Sequence, residues 1–281
     1  MNGSKATLLA VVLTLFSLSA FSQTSLLTRT ITKTDRFDFG SGGTLAVTGA
    51  PSGSIRVVGS TKNEVEITAR IELQAGTEAD LTKLAEVTGF VTEESPARTG
   101  VVTIGTHNKL GLKKLPNKFP KNLLGLPFRV DYVITVPRYC DLEIDGGKGD
   151  LAISGVEGTM QINFLEAKAD IEIITGPSTI TVGVGTVEVA IGTHGWRPRA
   201  ANIRVASGDL TVRLPPNMSG EIDATILKTG KIENMLPDLK PRDRKAPFTD
   251  RSVIAKANVG GAALTFTVGD GTLRLSPLTQ R

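Results

Sequence analysis

Two histidines and one cysteine are the side chains of this sequence with the widest chemical repertoire, and none stands in a reactive pattern. His107 occurs in Thr106-His107-Asn108 and His194 in Thr193-His194-Gly195, both at the edges of expected loops. An imidazole metal site needs such rings to converge with a carboxylate, and their spacing gives no such convergence, so no metal is expected. Cys140 follows Tyr139 at the head of an expected strand. A nucleophilic thiol requires a base and an electropositive niche; a small core or edge residue is the simpler reading. A single cysteine also forbids an intramolecular disulfide, so stability must come from burial.

Other catalytic signatures are missing. No serine occupies a Gly-x-Ser-x-Gly elbow, and there is no His-Glu-x-x-His, no phosphate-binding loop and no dinucleotide fingerprint. Gly183-Val184-Gly185 lacks the third glycine of a phosphate cradle and reads as a strand corner. Asp145-Gly146-Gly147-Lys148-Gly149-Asp150 begins like a calcium nonapeptide, but its Asp falls one position early, it has no tandem copy, and Lys148 brings the wrong charge. It reads as a tight turn. Asp150, Glu157, Glu166, Asp170, Glu172 and Glu188 could serve a polysaccharide lyase or hydrolase if they converged, yet the sequence aligns them in no evident column. One patch breaks the aliphatic rhythm: Gly195-Trp196-Arg197-Pro198-Arg199, with the only tryptophan. Trp196, Arg197 and Arg199 are the candidate ligand-binding residues, suited to an anionic glycan or a partner protein; the alternative is that Trp196 covers a strand end.

The elements that must carry these residues are mostly strands. A phrase of Gly followed by two aliphatics one residue apart recurs at Gly53-Ser54-Ile55-Arg56-Val57, Gly149-Asp150-Leu151-Ala152-Ile153 and Gly158-Thr159-Met160-Gln161-Ile162. It returns at Gly185-Thr186-Val187-Glu188-Val189, Gly208-Asp209-Leu210-Thr211-Val212 and Gly271-Thr272-Leu273-Arg274-Leu275. Such self-similarity marks stacked units that bury their apolar residues against one another. Residues 37 to 74 alternate as half-buried strands. One helix is predicted, with Thr77 as N-cap and Asp80 three residues on, then Leu81, Leu84 and Ala85 at helical spacing and Gly89 to close it. A Lys- and Pro-rich insertion spans about 107–127, and a polar loop about 237–251; proline density rules out regular structure in the insertion.

At the N-terminus, Lys5 precedes an apolar run from Ala6 to Phe21, too short for a membrane span. Ala20-Phe21-Ser22 fits a cleavage site before Gln23, so residues 1–22 are expected to be a signal peptide, with no stable span once it is removed. The expected destination is periplasmic, cell-surface or extracellular, and 23–281 reads as one domain. The net charge of +4 is too mild to argue for nucleic acid. Hydrophobics make up 40% of the chain but aromatics only 5%, so the core must be built from Val, Ile and Leu.

The fold expected is all-β: an irregular right-handed β-solenoid with one short α-helix, or alternatively an antiparallel β-sandwich. The solenoid is favoured because residue types recur along with the period. From about Gly53 to Leu275 the chain resembles the bacterial putative-adhesin families of β-strand repeats. The likeness is carried by Gly53-Ser54-Ile55-Arg56-Val57-Val58-Gly59, Val65-Glu66-Ile67, Val136-Pro137, Leu142-Glu143-Ile144, Gly149-Asp150-Leu151-Ala152-Ile153-Ser154-Gly155 and Gly158. The resemblance implies a β-helix-like fold and an envelope role, and transfers no catalytic residue. The function expected is non-enzymatic: an adhesin-like scaffold or surface-interaction module for envelope glycans or other surface proteins, with no cofactor. The alternative is a carbohydrate-active enzyme on an acidic polysaccharide. A small-molecule site is not expected, since a filled interior offers no pocket.

Overall fold

The computed structural model describes residues 26–95, 97–108, 119–192, 200–216 and 218–278. The expected leader, Trp196, Arg197 and Arg199, His194 and residues 109–118 of the Lys-rich insertion lie outside them. After β1 (Leu27–Asp38) come β2 (Thr44–Thr48), β3 (Ile55–Ser60) and β4 (Glu64–Ala75). Helix α1 (Glu78–Val87) leads to a hairpin, β5 (Gly89–Ser95) and β6 (Arg98–Ile104), and then to β7 (Phe128–Pro137). Four long strands follow: β8 (Asp141–Ser154), β9 (Met160–Ile173), β10 (Ser178–Ile191) and β11 (Ala200–Leu214). Last come β12 (Gly220–Asn234), β13 (Lys240–Pro241), β14 (Ser252–Ala257) and β15 (Ala262–Pro277).

These strands form one mixed sheet in the order β1-β4-β7-β3-β8-β9-β10-β11-β15-β12-β14-β13, with β2, β5 and β6 branching from β8. The fold is therefore all-β with one α-helix. Where the sequence repeat is densest, β8 through β12, all pairing is parallel. Strands joined by tight hairpins are antiparallel, so the sandwich alternative does not describe this region. Antiparallel pairing is confined to the two ends, β1–β4–β7 with β5–β6 at one and β12–β14–β13 at the other.

Inward residues stack in columns. Ile144, Ile162, Ile180, Ile203 and Phe266 are successive partners across the sheet, as are Leu151, Ala169, Val187, Leu210 and Leu273. All ten are buried. The register also corrects the period. Leu142 pairs with Met160 and Met160 with Ser178, so one rung advances the chain by eighteen positions. The nine-residue interval between the Gly149 and Gly158 phrases is half a rung, and the two aliphatic pairs of a rung lie in one long strand.

That strand cannot be straight. Fourteen extended residues span about 46 Å at ~3.3 Å each, while the five residues from Gly155 to Thr159 reach about 20 Å. For β9 to start beside the start of β8, β8 must bend back. Glycine makes the bend: Gly149, Gly185, Gly208, Gly271 and Gly230 all have φ between +124° and +148° and lie one above another. A Cβ on Gly208 would fall 1.9 Å from the Gly185 carbonyl oxygen, and one on Gly271 1.9 Å from that of Gly208. Gly158, identical in the sequence phrase, sits at a rung's start instead and has no positive φ.

At the N-terminal end, β2 pairs with the first half of β8 and β3 with the second. Helix α1 packs there on Leu81, Leu84 and Val87, all buried. The Asp80 amide donates to Thr77 Oγ1 (3.1 Å) and the Thr77 hydroxyl to the Asp80 carboxylate (2.8 Å), as the capping pattern predicts. The helix closes at Thr88, a residue before the expected Gly89, which opens β5. Thr77→Ala is expected to lower stability by about 1 kcal/mol, with Thr77→Ser near neutral, as urea melts would show.

Candidate functional site

Of the chemically versatile side chains, Cys140 is placed where it is not a ready nucleophile. Cys140 is buried, with its sulfur 3.3 Å from the Asp141 carbonyl, and burial pushes its thiol up to about 12. A thiol held neutral is no nucleophile. Tyr132 is also buried; its hydroxyl lies 2.8 Å from Thr103 Oγ1, which donates to the Thr48 carbonyl (2.8 Å). Burial raises the phenol to about 12 against the lowering effect of its hydrogen bond with Thr103. His107 stacks at 5.3 Å on Phe128, and burial lowers its pKa. Among the described residues no three metal-ligating side chains cluster.

Both raised groups bind protons more tightly folded than unfolded, so their contribution is intact below about pH 8.5 and is lost as pH climbs towards 12. The urea midpoint is expected to hold from pH 7 to 8 and fall above 9. Cys140→Ala should delay the onset by about a pH unit, since the remaining phenol has an unfolded pKa of about 10. An identical alkaline profile in that variant would show that the thiol is not held neutral by burial.

Asp145 to Asp150 is a bend within β8 and not a separate turn. Asp145 accepts from the Asn163 amide (2.9 Å), Lys148 pairs with Glu166 (3.0 Å), and a Cβ on Gly147 would meet the Pro51 carbonyl at 2.2 Å.

Carboxylates do align, contrary to the sequence reading. Asp170 on β9 is directly opposite Glu188 on β10, and Asp150 is opposite Lys168. These four line a shallow hollow of about 290 Å³ on the outward face of the second half-rungs. The signal was an eighteen-residue offset between Asp170 and Glu188, hidden by counting in nines. The Arg213 guanidinium reaches both, at 3.6 and 3.2 Å, and further along Arg274 and Lys231 flank Glu233 at 2.7 and 2.8 Å. Charges on this face are thus largely cancelled within it, and no aromatic ring lines the hollow.

Glycoside cleavage needs a carboxyl held protonated. Among the described residues every carboxyl with a displaced pKa is displaced downward. Glu64 is lowered by Arg36 and Lys62, Glu233 by Lys231 and Arg274, and Asp270 by Thr229. At Asp131 burial works upward but is outweighed by Arg129 and Ser54.

The outward face of the first half-rungs is different. One column runs Gln161, Thr179, Asn202, Thr265; the next runs Asn163, Thr181, Arg204, Thr267. Neighbours are about 4.8 Å apart across rungs and about 6.7 Å apart along a strand. The hydroxyls of Thr179, Thr181, Thr265 and Thr267 have no hydrogen-bond partner among the described residues. This is a regular polar array, half-exposed to exposed, that the same columns continue to Glu143 and Asp145 on β8 and to Asp223 on β12.

The stacked strands have a filled interior, as expected, but the expectation of no pocket fails at one corner. Where β11 ends and β12 begins, Leu214, Met218, Leu236 and Leu239 border an apolar hollow of about 350 Å³. Prolines at the strand ends hold that corner open. No helix among the described residues is long and apolar enough to cross a membrane.

No family model matches the chain, and no curated protein does. Solved structures do. A putative cell adhesion protein from Clostridium sporogenes ATCC 15579 aligns over 89% of this chain and 100% of its own at 12% identity and a TM-score of 0.50. A putative adhesin from Bacteroides fragilis NCTC 9343 aligns over 88% of this chain and 97% of its own, at 12% identity and a TM-score of 0.37. At the level of fold, the likeness read from the repeat phrase is present in the Clostridium sporogenes protein.

Proposed function

We propose that this is an exported, non-enzymatic surface-interaction module, adhesin-like in role, whose rungs are successive turns of a right-handed coil. Support for the coil is the parallel eighteen-residue register with its glycine bends. Support for the role is the name of the Clostridium sporogenes protein of similar fold, together with one observation that carries it: two in-register ladders of Thr, Asn and Gln side chains in which the four threonine hydroxyls have no partner among the described residues. The Thr, Asn and Gln members of such an array complement the hydroxyls of an envelope glycan, with Arg204 within the columns and Glu143, Asp145 and Asp223 at their ends as its charged members. In this reading residues 1–22 direct export, the remainder acts as one domain in the periplasm, at the cell surface or outside the cell, and Trp196, Arg197 and Arg199, in the link from β10 to β11, extend the contact beyond the ladders.

The test is binding of the leader-free protein to a panel of envelope glycans. Thr181→Glu with Thr267→Glu is expected to weaken binding at least tenfold, and Trp196→Ala with Arg197→Ala and Arg199→Ala to weaken it further. Binding indifferent to the ladder changes would overturn the face assignment. A second reading rests on Asp170 opposite Glu188: release of shortened glycan, abolished by Asp170→Asn, would establish an enzyme instead.

A further inference from the structure

We propose that the corner hollow between β11, β12 and β15 is a binding site for a single aliphatic chain ending in a hydrogen-bond donor, an amine or a hydroxyl. This does not depend on the reading of the ladders. Its volume of about 350 Å³ lies at the lower end of the range for ligand pockets and suits one chain of medium length, not a two-chain lipid. The walls are apolar: Leu214, Met218 and Ala257 are buried, and Leu236 and Leu239 pack against the same core.

Polarity at the rim selects the head group. Pro215, Pro216, Pro237 and Pro277 line the hollow and have no N–H to give. The N–H groups of Met218, Leu236 and Leu239 are spent on Pro215 O, Asn234 Oδ1 and Leu236 O. Two polar side chains remain. Asn258 donates its amide to the Met218 carbonyl (2.6 Å), which leaves its own oxygen as an acceptor. Asp238 is exposed and has no ion pair or hydrogen bond among the described residues. Both unspent side-chain groups among the described lining residues accept, and one is negative. An amine or hydroxyl satisfies them, while a carboxylate or phosphate is repelled.

Two further features fit a built site. Asn258 is the only described non-glycine residue with positive φ, +49°, and its side chain ties the β14 end to the β12 entry across the hollow. Such strained residues gather at ligand clamps. Beside the lining residues in sequence, Met235 and Val259 are 51% and 85% exposed, so apolar surface continues outward from the hollow.

The experiment is calorimetric titration of the leader-free protein with decylamine, 1-decanol and decanoate, each below its aggregation threshold. Decylamine and 1-decanol should bind one to one, and decanoate at least tenfold more weakly. Asp238→Lys, at an exposed position, should reverse the order of amine and carboxylate, and Met218→Trp should abolish binding of all three by filling the hollow. Equal affinity for amine and carboxylate, no saturable binding, or indifference to Asp238→Lys would each overturn the assignment. Because Asp238→Lys leaves the core untouched, the test stands even if Met218→Trp does not fold.

Discussion

Gly208→Ala is expected to destabilise the protein by about 3 kcal/mol or more, although it adds one methyl group to a strand. Two costs combine. The residue has φ +126°, a region that L-residues occupy at a cost of about 1–3 kcal/mol. The new Cβ would also fall 1.9 Å from the Gly185 carbonyl oxygen. That oxygen belongs to the backbone of the neighbouring rung, where retreat would disturb a ladder shared with Ala167 on the far side. At about 2–4 °C per kcal/mol for a domain of this size, the melting temperature should drop by at least about 6 °C. The column contains its own control. Ala167 on β9 stands between Gly149 and Gly185, is buried, and has no positive φ. Ala167→Gly should cost no more than about 1 kcal/mol, from chain entropy and a lost methyl contact. If Gly208→Ala melts with the parent, the glycine column is not what bends the rungs.

The same column shows what could be read from residues alone. The inward pairs Ile55–Val57, Leu151–Ile153, Val187–Val189, Leu210–Val212 and Leu273–Leu275 were all visible, because alternation with period two reports which face is buried. The Thr77–Asp80 cap was visible for a similar reason: it is a contact three residues long. What alternation cannot report is which strand lies beside which. The Gly158 and Gly149 phrases look alike, yet one opens a rung and the other bends it, a difference set by the ladder partners on either side. Arg213 joining Asp170 and Glu188 is equally silent in the sequence until the eighteen-residue register is known. The place of β15 is the strongest case. It is the last strand of the chain but lies between β11 and β12, and no local signal distinguishes that position from an edge.

That placement leads to the largest effect expected of any change described here: ending the chain at Gly261 should abolish cooperative folding. β15 is parallel to β11 on one side and β12 on the other, so its removal unpairs two ladders at once. Leu264, Phe266, Val268, Leu273 and Leu275 are all buried. At about 1.5–3 kcal/mol for each, their burial is worth on the order of 7–15 kcal/mol, the same size as the entire stability of a typical domain, about 5–15 kcal/mol. Removing β1, a strand of 12 residues against the 16 of β15, from the opposite end should do far less. β1 pairs only with β4, and only Ile31 and Phe37 of its side chains pack partly against the core. The chain lacking β1 should keep its strand signal by circular dichroism and melt cooperatively at a lower temperature, while the chain ending at Gly261 should show no transition. A cooperative melt in the latter would mean that β11 and β12 can pair without it, and that the last strand is an accessory to the stack and not its keystone.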